Sequence, residues 1–305
     1  GDKVAFLGGP ALSEYCIVKA ERAALIPPDT DDYALWIAEP ASCVVNGVRS
    51  ARVEPGDTVI LIGAGYMGLL LVQALPTRVM HRFVVIDVDD ERLELARRFG
   101  AAITLNPRDV DVVTEVRRLT GASESAVYPE EQEVVARLLG RAAASCRSLA
   151  WEDVAAIERL LGARESRVHA DLSPQDIWLA ERALSRRRSG ADIVIEAAGA
   201  PGVLDTAGRM LRPGGRLSIF SFHTSREEVD LPTWHMRGYE VQNPAPNFSH
   251  NIVKDFQDAV RLMHDRTLDQ RALITHRFPH TAAREALAVT AARPKGYIKA
   301  AVTFD

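Results

Sequence analysis

Cysteine is scarce in this sequence. The 305 residues hold three, Cys16, Cys43 and Cys146, far apart and with no Cys-x-x-Cys pair. An odd, scattered set excludes a disulfide framework and a cysteine-rich structural zinc site, so a reducing cytoplasm is the expected compartment. Excess charge of one sign is also missing. The net charge is −4 with both signs spread along the chain, which gives neither nucleic acid nor an anionic membrane a basic stripe to bind. Long apolar runs are lacking too. None approaches the ~18 residues of a membrane span, and no charged leader precedes an apolar core, so no membrane partner is expected. Internal repeats and low-complexity linkers are absent as well.

What is present centres on Gly56 to Asp87. The apolar run Val59 to Ile62 suits a strand buried on both faces. Gly63, Gly65 and Gly68 then form a G-x-G-x-x-G turn into a helix over Tyr66 to Leu75. The first glycine permits a tight turn, the second lets backbone approach a pyrophosphate, and the third lets helix and strand pack closely. The helix N-terminus offers unpaired N–H groups to phosphate, an effect of roughly 0.3 to 1 kcal/mol at exposed sites. A second strand, Phe83 to Ile86, ends at Asp87, where a carboxylate can take both hydroxyls of an adenosine ribose and repel a 2′-phosphate. NAD is therefore expected rather than NADP.

Further strands and helices alternate: helix Asp90 to Phe99, strand Ala102 to Leu105, helix Val110 to Leu119, strand Asp192 to Glu196, helix Gly202 to Leu211 and strand Arg216 to Phe220. Alternation implies a doubly wound α/β fold with a parallel sheet. Ligands then sit beyond the carboxyl ends of the strands, which groups the glycine turn, Asp87, Ala198, Gly199 and Ser221 to His223 around one cleft. Earlier, Lys3 to Leu7 and Glu14 to Val18 read as short strands with turns at Gly8-Gly9-Pro10 and Pro27-Pro28, and Asp31 to Arg52 as largely helical. Later, 234–251 reads as irregular, with a loop at Asn243-Pro244-Ala245-Pro246-Asn247 near the cleft. Helix Ile252 to His264, strand Leu273 to Phe278, helix Ala283 to Ala288 and strand Tyr297 to Phe304 follow, the last three expected to return to the opening β-rich segment.

Residues 122–189 leave this rhythm. Three amphipathic helices are expected, over Glu130 to Ala144, Glu152 to Leu161 and Pro174 to Leu184, the last with Ser173 as N-cap. Because they precede a strand they should emerge at its amino-terminal edge, opposite the cleft. They read either as a helical bundle packing on its own domain or as a docking surface for a partner.

Glu39-Pro40, Gly56-Asp57-Thr58-Val59, Gly63 to Gly68, Leu211-Arg-Pro-Gly-Gly215, Thr275-His-Arg-Phe-Pro279 and Gly296-Tyr-Ile-Lys299 together resemble the medium-chain dehydrogenase/reductase family. Its zinc-dependent sorbitol and threonine dehydrogenase branch is the nearest in look. The resemblance covers 1–121 and 190–305. It implies an NAD-binding Rossmann domain at 46–121 and 190–271, part of a GroES-like catalytic domain at 1–45 and 272–305, and a helical insertion at 122–189. It also implies an alcohol or polyol substrate and frequent pairing of nucleotide domains into homo-oligomers. By matching motif, Gly63, Gly65, Tyr66, Met67 and Gly68 would hold pyrophosphate, Asp87 the ribose, Arg92 would flank the adenine ribose, and Ala198, Gly199 and Ser221 would line the nicotinamide side. Glu39 would lie at the catalytic zinc. The family's cysteine, histidine and acid zinc ligands come from a stretch preceding the motif at Gly1 to Val4. That leaves open a piece of a longer protein or a form without the usual zinc site.

The remaining candidates have plainer readings. Cys16 and Cys43 suit small buried side chains, His223 a polar loop residue able to face the nicotinamide, and Glu196 a strand-end carboxylate that can reach the cleft. Asp192 brackets the other end of that strand. His235, His250, His276 and His280 show no metal-ligand spacing, and Arg277 and Lys299 suit structural ion pairs. Two competing functions stay open: a dinucleotide-binding module whose insertion docks a partner, and a zinc-free quinone or enone reductase, which Glu39-Pro40 and Asp87 disfavour.

Overall fold

In the computed structural model, the described residues are 1–9, 12–76, 79–121, 124–162, 172–185, 190–245, 249 and 251–304. His250, Pro10, Pro246 and Asn247 lie outside them. The centre is a six-stranded, all-parallel sheet. Its members are β3 (Thr58–Ile62), β4 (Arg82–Ile86), β5 (Ile103–Leu105), β8 (Ala191–Glu196), β9 (Leu211–Ile219) and β10 (Glu240–Gln242), in spatial order β10-β9-β8-β3-β4-β5. Every residue of β3 is buried, as its unbroken apolar run requires.

The chain winds from β3 outward through β4 to β5, crosses back to β8, and winds outward again to β10. The strand order therefore reverses between β3 and β8. In a sheet wound this way the crevice opens at that reversal, beyond the carboxyl ends. Helices α1 (Ala38–Ala51), α2 (Tyr66–Ala74), α3 (Asp90–Arg98) and α10 (Ile252–His264) bury Val44, Leu70, Leu71, Leu93, Phe256 and Val260 with the β3 residues Val59 and Leu61. On the other face, α4 (Val112–Thr120) and α8 (Val203–Met210) pack Val116, Ala207 and Met210 on Ile60, Val84 and Val194.

Capping follows sequence chemistry. Asp89 accepts from the amides of Glu91 and Arg92 to open α3, and Asp111 from Thr114 at 2.7 Å to open α4. The amphipathic α10 coincides with its sequence expectation, with Asn251 as N-cap.

The insertion contains a two-stranded antiparallel pair, β6 (Glu124–Ala126) with β7 (Ser148–Ala150), and helices α5 (Pro129–Leu139), α6 (Trp151–Gly162) and α7 (Pro174–Ser185). Val134, Val135, Leu138, Leu149, Val154, Ile157, Ala180, Ala183 and Leu184 form an apolar cluster of their own. Helix α5 stops well before Ala144 because Gly140 adopts a left-handed conformation, φ 63°, and terminates it. The insertion meets the sheet at the amino-terminal side, where Gly190 donates to Thr120 Oγ1 at 2.7 Å and Arg237 reaches Glu181 at 3.4 Å.

Several local expectations are corrected. Glu14 to Val18 is not a strand, and Tyr15 and Ile17 are 87% and 98% exposed. The partner of β1 (Val4–Phe6) is instead β2 (Ala23–Leu25). Residues 234–251 are not irregular throughout. Asp230 caps α9 (Leu231–Met236), and β10 adds the sixth strand with only one apolar residue, too short for a periodicity to register. The last elements, β11 (Ile274–Pro279), α11 (Ala283–Ala292) and β12 (Lys299–Thr303), close on themselves as a parallel strand-helix-strand unit. They reach the opening segment through the Arg277–Asp32 ion pair at 2.5 Å rather than by pairing with β1 or β2.

Candidate dinucleotide site

The carboxyl ends of β3, β4, β8 and β9 bring the sequence-expected residues to one cleft. Gly63 continues the ladder past β3, donating to Ile86 O at 2.7 Å, while Ala197 N donates to Ile62 O at 2.8 Å. Gly63 has φ +100°, and a Cβ there would stand 2.9 Å from Ala197 and Ala198 backbone. At Gly68 a Cβ would fall 1.9 Å from Gly63 O, so the helix can rest on the turn only with glycine in that position. Gly65 differs. Its φ is −70°, and a Cβ would meet nothing within 4 Å. Neither strain nor crowding within the chain asks for glycine there, and the space beside it is open.

Asp87 is bound to the turn it faces. Its Oδ2 accepts from Ala64 N at 2.6 Å and its Oδ1 from Asp89 N at 2.9 Å. Each oxygen retains acceptor capacity for a hydroxyl. Arg92, one turn into α3, donates to Tyr297 O at 3.1 Å and lies 3.5 Å from Asp89 Oδ2. It thereby ties α3 to the C-terminal unit. Met67 packs into the core, leaving its backbone to the turn.

Tyr66, the first residue of α2, is buried. Its hydroxyl donates to Gln270 Oε1, and Gln270, 2% exposed, donates onward to Ile37 O at 2.9 Å. Burial, followed by the Glu39 charge, raises the Tyr66 pKa above the ordinary phenol range. The Lys299 ammonium stands 4.9 Å from the centre of the Tyr66 ring. Among the described residues Lys299 makes no ion pair, contrary to the sequence expectation. Its cation lies over the first residue of the helix that follows the glycine turn. Arg277 does form the expected pair, with Asp32.

Glu39 opens the first turn of α1 and is exposed. The thiol of Cys43 donates to its Oε1 at 3.5 Å, and burial together with the Glu39 charge pushes the Cys43 pKa up to about 12. Cys43 is partly buried, as is Cys16, and all three cysteines are free thiols. Among the described residues no three His, Cys, Asp or Glu side chains converge on a position that could hold a metal. Glu39 and Cys43 give two donors, short of the three protein ligands a catalytic zinc takes, so these residues do not by themselves fit the metal.

The most connected carboxylate is one the sequence left as a strand-end group. Glu196 is fully buried, accepts from Ala198 N and Gly199 N at 2.7 Å each, and also holds the Ser221 hydroxyl and, at 3.0 Å, His223 Nε2. Ala198, Gly199 and Ser221 are thus brought together as expected, through a group whose role only the fold reveals. Asp192, at the other end of β8, accepts from Thr58 N at 2.7 Å and pairs with Arg212 at 2.6 Å, which is structural. His276 and His280 pack on Tyr297 and Phe304, and His235 helps line a cavity of about 530 Å³ beside β10 with Leu231, Trp234 and Tyr239.

No family model matches the chain. Individual relatives do. An alcohol dehydrogenase of Cupriavidus necator is 38% identical over 112 residues, 36% of this chain and 31% of that protein. An S-(hydroxymethyl)glutathione dehydrogenase of Escherichia coli is 33% identical over 108 residues, 35% of this chain and 29% of that protein. An erythritol/L-threitol dehydrogenase of Mycolicibacterium smegmatis is 30% identical over 121 residues, 39% of this chain and 33% of that protein. The matched stretch spans about a third of the length of these relatives. The fold is shared far more widely. A 2R,3R-butanediol dehydrogenase of Bacillus subtilis superposes with a TM-score of 0.64 at 19% identity, covering 98% of this chain and 65% of that one. A zinc-dependent alcohol dehydrogenase of Streptococcus pneumoniae gives 0.58 at 20%, covering 93% and 62%. The chain is thus similar in sequence, over about a third of its length, to alcohol and polyol dehydrogenases, and similar in fold, over nearly all of it, to two solved dehydrogenases.

Proposed function

We propose that this chain binds NAD along the carboxyl edge of its sheet and forms the cofactor-binding part of an alcohol or polyol dehydrogenase. The observation that carries the reading is the open space at Gly65 beside a carboxylate, Asp87, already fixed to the same turn. The amides opening α2 favour an anion there, and the Lys299 ammonium, which makes no ion pair among the described residues, adds a positive charge. Gly63, Gly65, Tyr66, Met67 and Gly68 would hold the pyrophosphate, Asp87 the ribose hydroxyls with Arg92 beside them, and Ala198, Gly199 and Ser221 the nicotinamide side. When bound, NAD supplies the acceptor for a hydride leaving a CH–OH carbon. The chain's own contribution is to orient that acceptor on rigid strand ends. Glu39, at the cleft end of α1, is proposed as its acidic group nearest the substrate. Zinc dependence is a property of a structural neighbour, the Streptococcus pneumoniae alcohol dehydrogenase. The alcohol dehydrogenase and polyol dehydrogenase relatives favour this reading over a quinone or enone reductase.

Free thiols throughout support a reducing, cytoplasmic setting, and no helix among the described residues is long and apolar enough to cross a membrane. Exposed Leu231, Met236 and Val241 beside edge strand β10 support pairing with a second copy, and exposed Tyr128 and Trp178 support a partner at the insertion.

Calorimetric titration with NADH and NADPH tests the cofactor reading directly. NADH should bind at least tenfold tighter than NADPH. Equal affinity for the two, or tighter NADPH binding, would remove Asp87 from the ribose.

A further inference from the structure

We propose that His223, set between Glu196 and Glu227, is a positioning residue that clasps the loop after β8 to the loop after β9 and so sets the nicotinamide side of the site. The proposal rests on the NAD reading above for its purpose and on the unliganded geometry for its existence.

Glu196 grips the start of the 197–202 loop through Ala198 N and Gly199 N, and Glu227 grips its end, Oε2 accepting from Gly202 N at 2.9 Å. The imidazole joins the two. Its Nε2 lies 3.0 Å from Glu196 Oε2 and its Nδ1 3.6 Å from Glu227 Oε1. The side chains of Glu196, Glu227 and His223 are 0%, 10% and 12% exposed. Among the described residues the charged groups touching the ring are these two carboxylates, one from the end of β8 and one from the ring's own loop.

The ring is hydrogen-bonded to Glu196 and stands beside Glu227, so it fills the space between the two carboxylates that hold either end of the 197–202 loop. Because Ser221 shares Glu196 with His223, the ring also governs how the residues proposed to line the nicotinamide stand relative to one another.

The test uses the whole chain at pH 7. In His223→Ala, which empties the space between the carboxylates, the amides of Ala198, Gly199 and Gly202 should lose at least tenfold protection from hydrogen exchange, and the NADH Kd should rise roughly five- to twentyfold. Should that variant fail to fold, Glu227→Gln serves in its place, with the same loss expected at Gly202. Unchanged amide protection in the variant overturns the clasp. Unchanged NADH affinity alongside lost protection overturns its positioning role. If the wild type binds no dinucleotide while protection behaves as stated, the NAD reading fails and the clasp stands.

Discussion

Asp87 accepts the amide hydrogen of Ala64, so the carboxylate proposed to read the ribose also braces the glycine turn that would carry the pyrophosphate. The two roles separate by substitution. Asp87→Asn keeps an acceptor for Ala64 and removes the charge, so NADPH should gain on NADH at least tenfold with little change in stability. Asp87→Ala leaves a part-buried N–H without its acceptor and should destabilise the fold by about 1–3 kcal/mol in denaturant melts. An unaltered NADH to NADPH ratio in Asp87→Asn would place the ribose elsewhere.

Gly68 and Gly65 should respond to alanine in opposite ways. Gly68→Ala drives a methyl against the Gly63 carbonyl and is expected to cost several kcal/mol, because backbone on both sides must shift. Gly65→Ala meets nothing and should leave the melting curve within about 0.5 kcal/mol of wild type. The same change should weaken NADH binding at least tenfold. Full NADH affinity in Gly65→Ala would mean that no ligand occupies the gap beside it.

Cys43 should be a slow thiol. With its pKa pushed up to about 12, it holds almost no thiolate at pH 8, where maleimide labelling is conveniently followed. Glu39→Gln removes the neighbouring charge that favours the protonated form, so labelling of Cys43 should accelerate severalfold in a Cys16→Ser, Cys146→Ser background. No acceleration would mean that burial alone sets its reactivity.

Lys299→Met should weaken NADH binding about three- to tenfold and flatten its dependence on salt, since the ammonium over Tyr66 has no carboxylate to neutralise it among the described residues. The melting temperature should change little. A salt profile identical to wild type would return Lys299 to a purely structural role.

The sequence disclosed the central architecture through Val59 to Ile62, the glycine spacing and Asp87, because a buried parallel strand and a phosphate turn each impose a pattern within a few adjacent residues. It did not disclose β2, whose Ala-Ala-Leu carries no strand signal, or β10, whose three residues are recruited by an existing edge. The apolar spacing that suggests helix continues past Gly140, but the left-handed glycine ends α5 there. The Glu196–His223–Glu227 cluster was out of reach for another reason. Its members come from separate strand ends, and only the parallel pairing of β8 with β9 brings them together. The contact of Lys299 with Tyr66 is hidden from the sequence for the same kind of reason, since the two lie far apart in the chain.

The insertion between α4 and β8 bears on how the chain finds its fold. It roughly doubles the length of chain separating β3 from its partner β8, the pairing that completes the middle of the sheet. Loop-closure entropy grows only logarithmically, so such a doubling costs about 0.6 kcal/mol. The greater effect is on timing. During synthesis β3, β4 and β5 emerge together, and the bundle is made before β8 exists, so the inner edge of β3 stays unpaired throughout. A bundle with an apolar cluster of its own can form in that interval without that edge. Sheet completion then waits on β8, which alone pairs with that edge of β3.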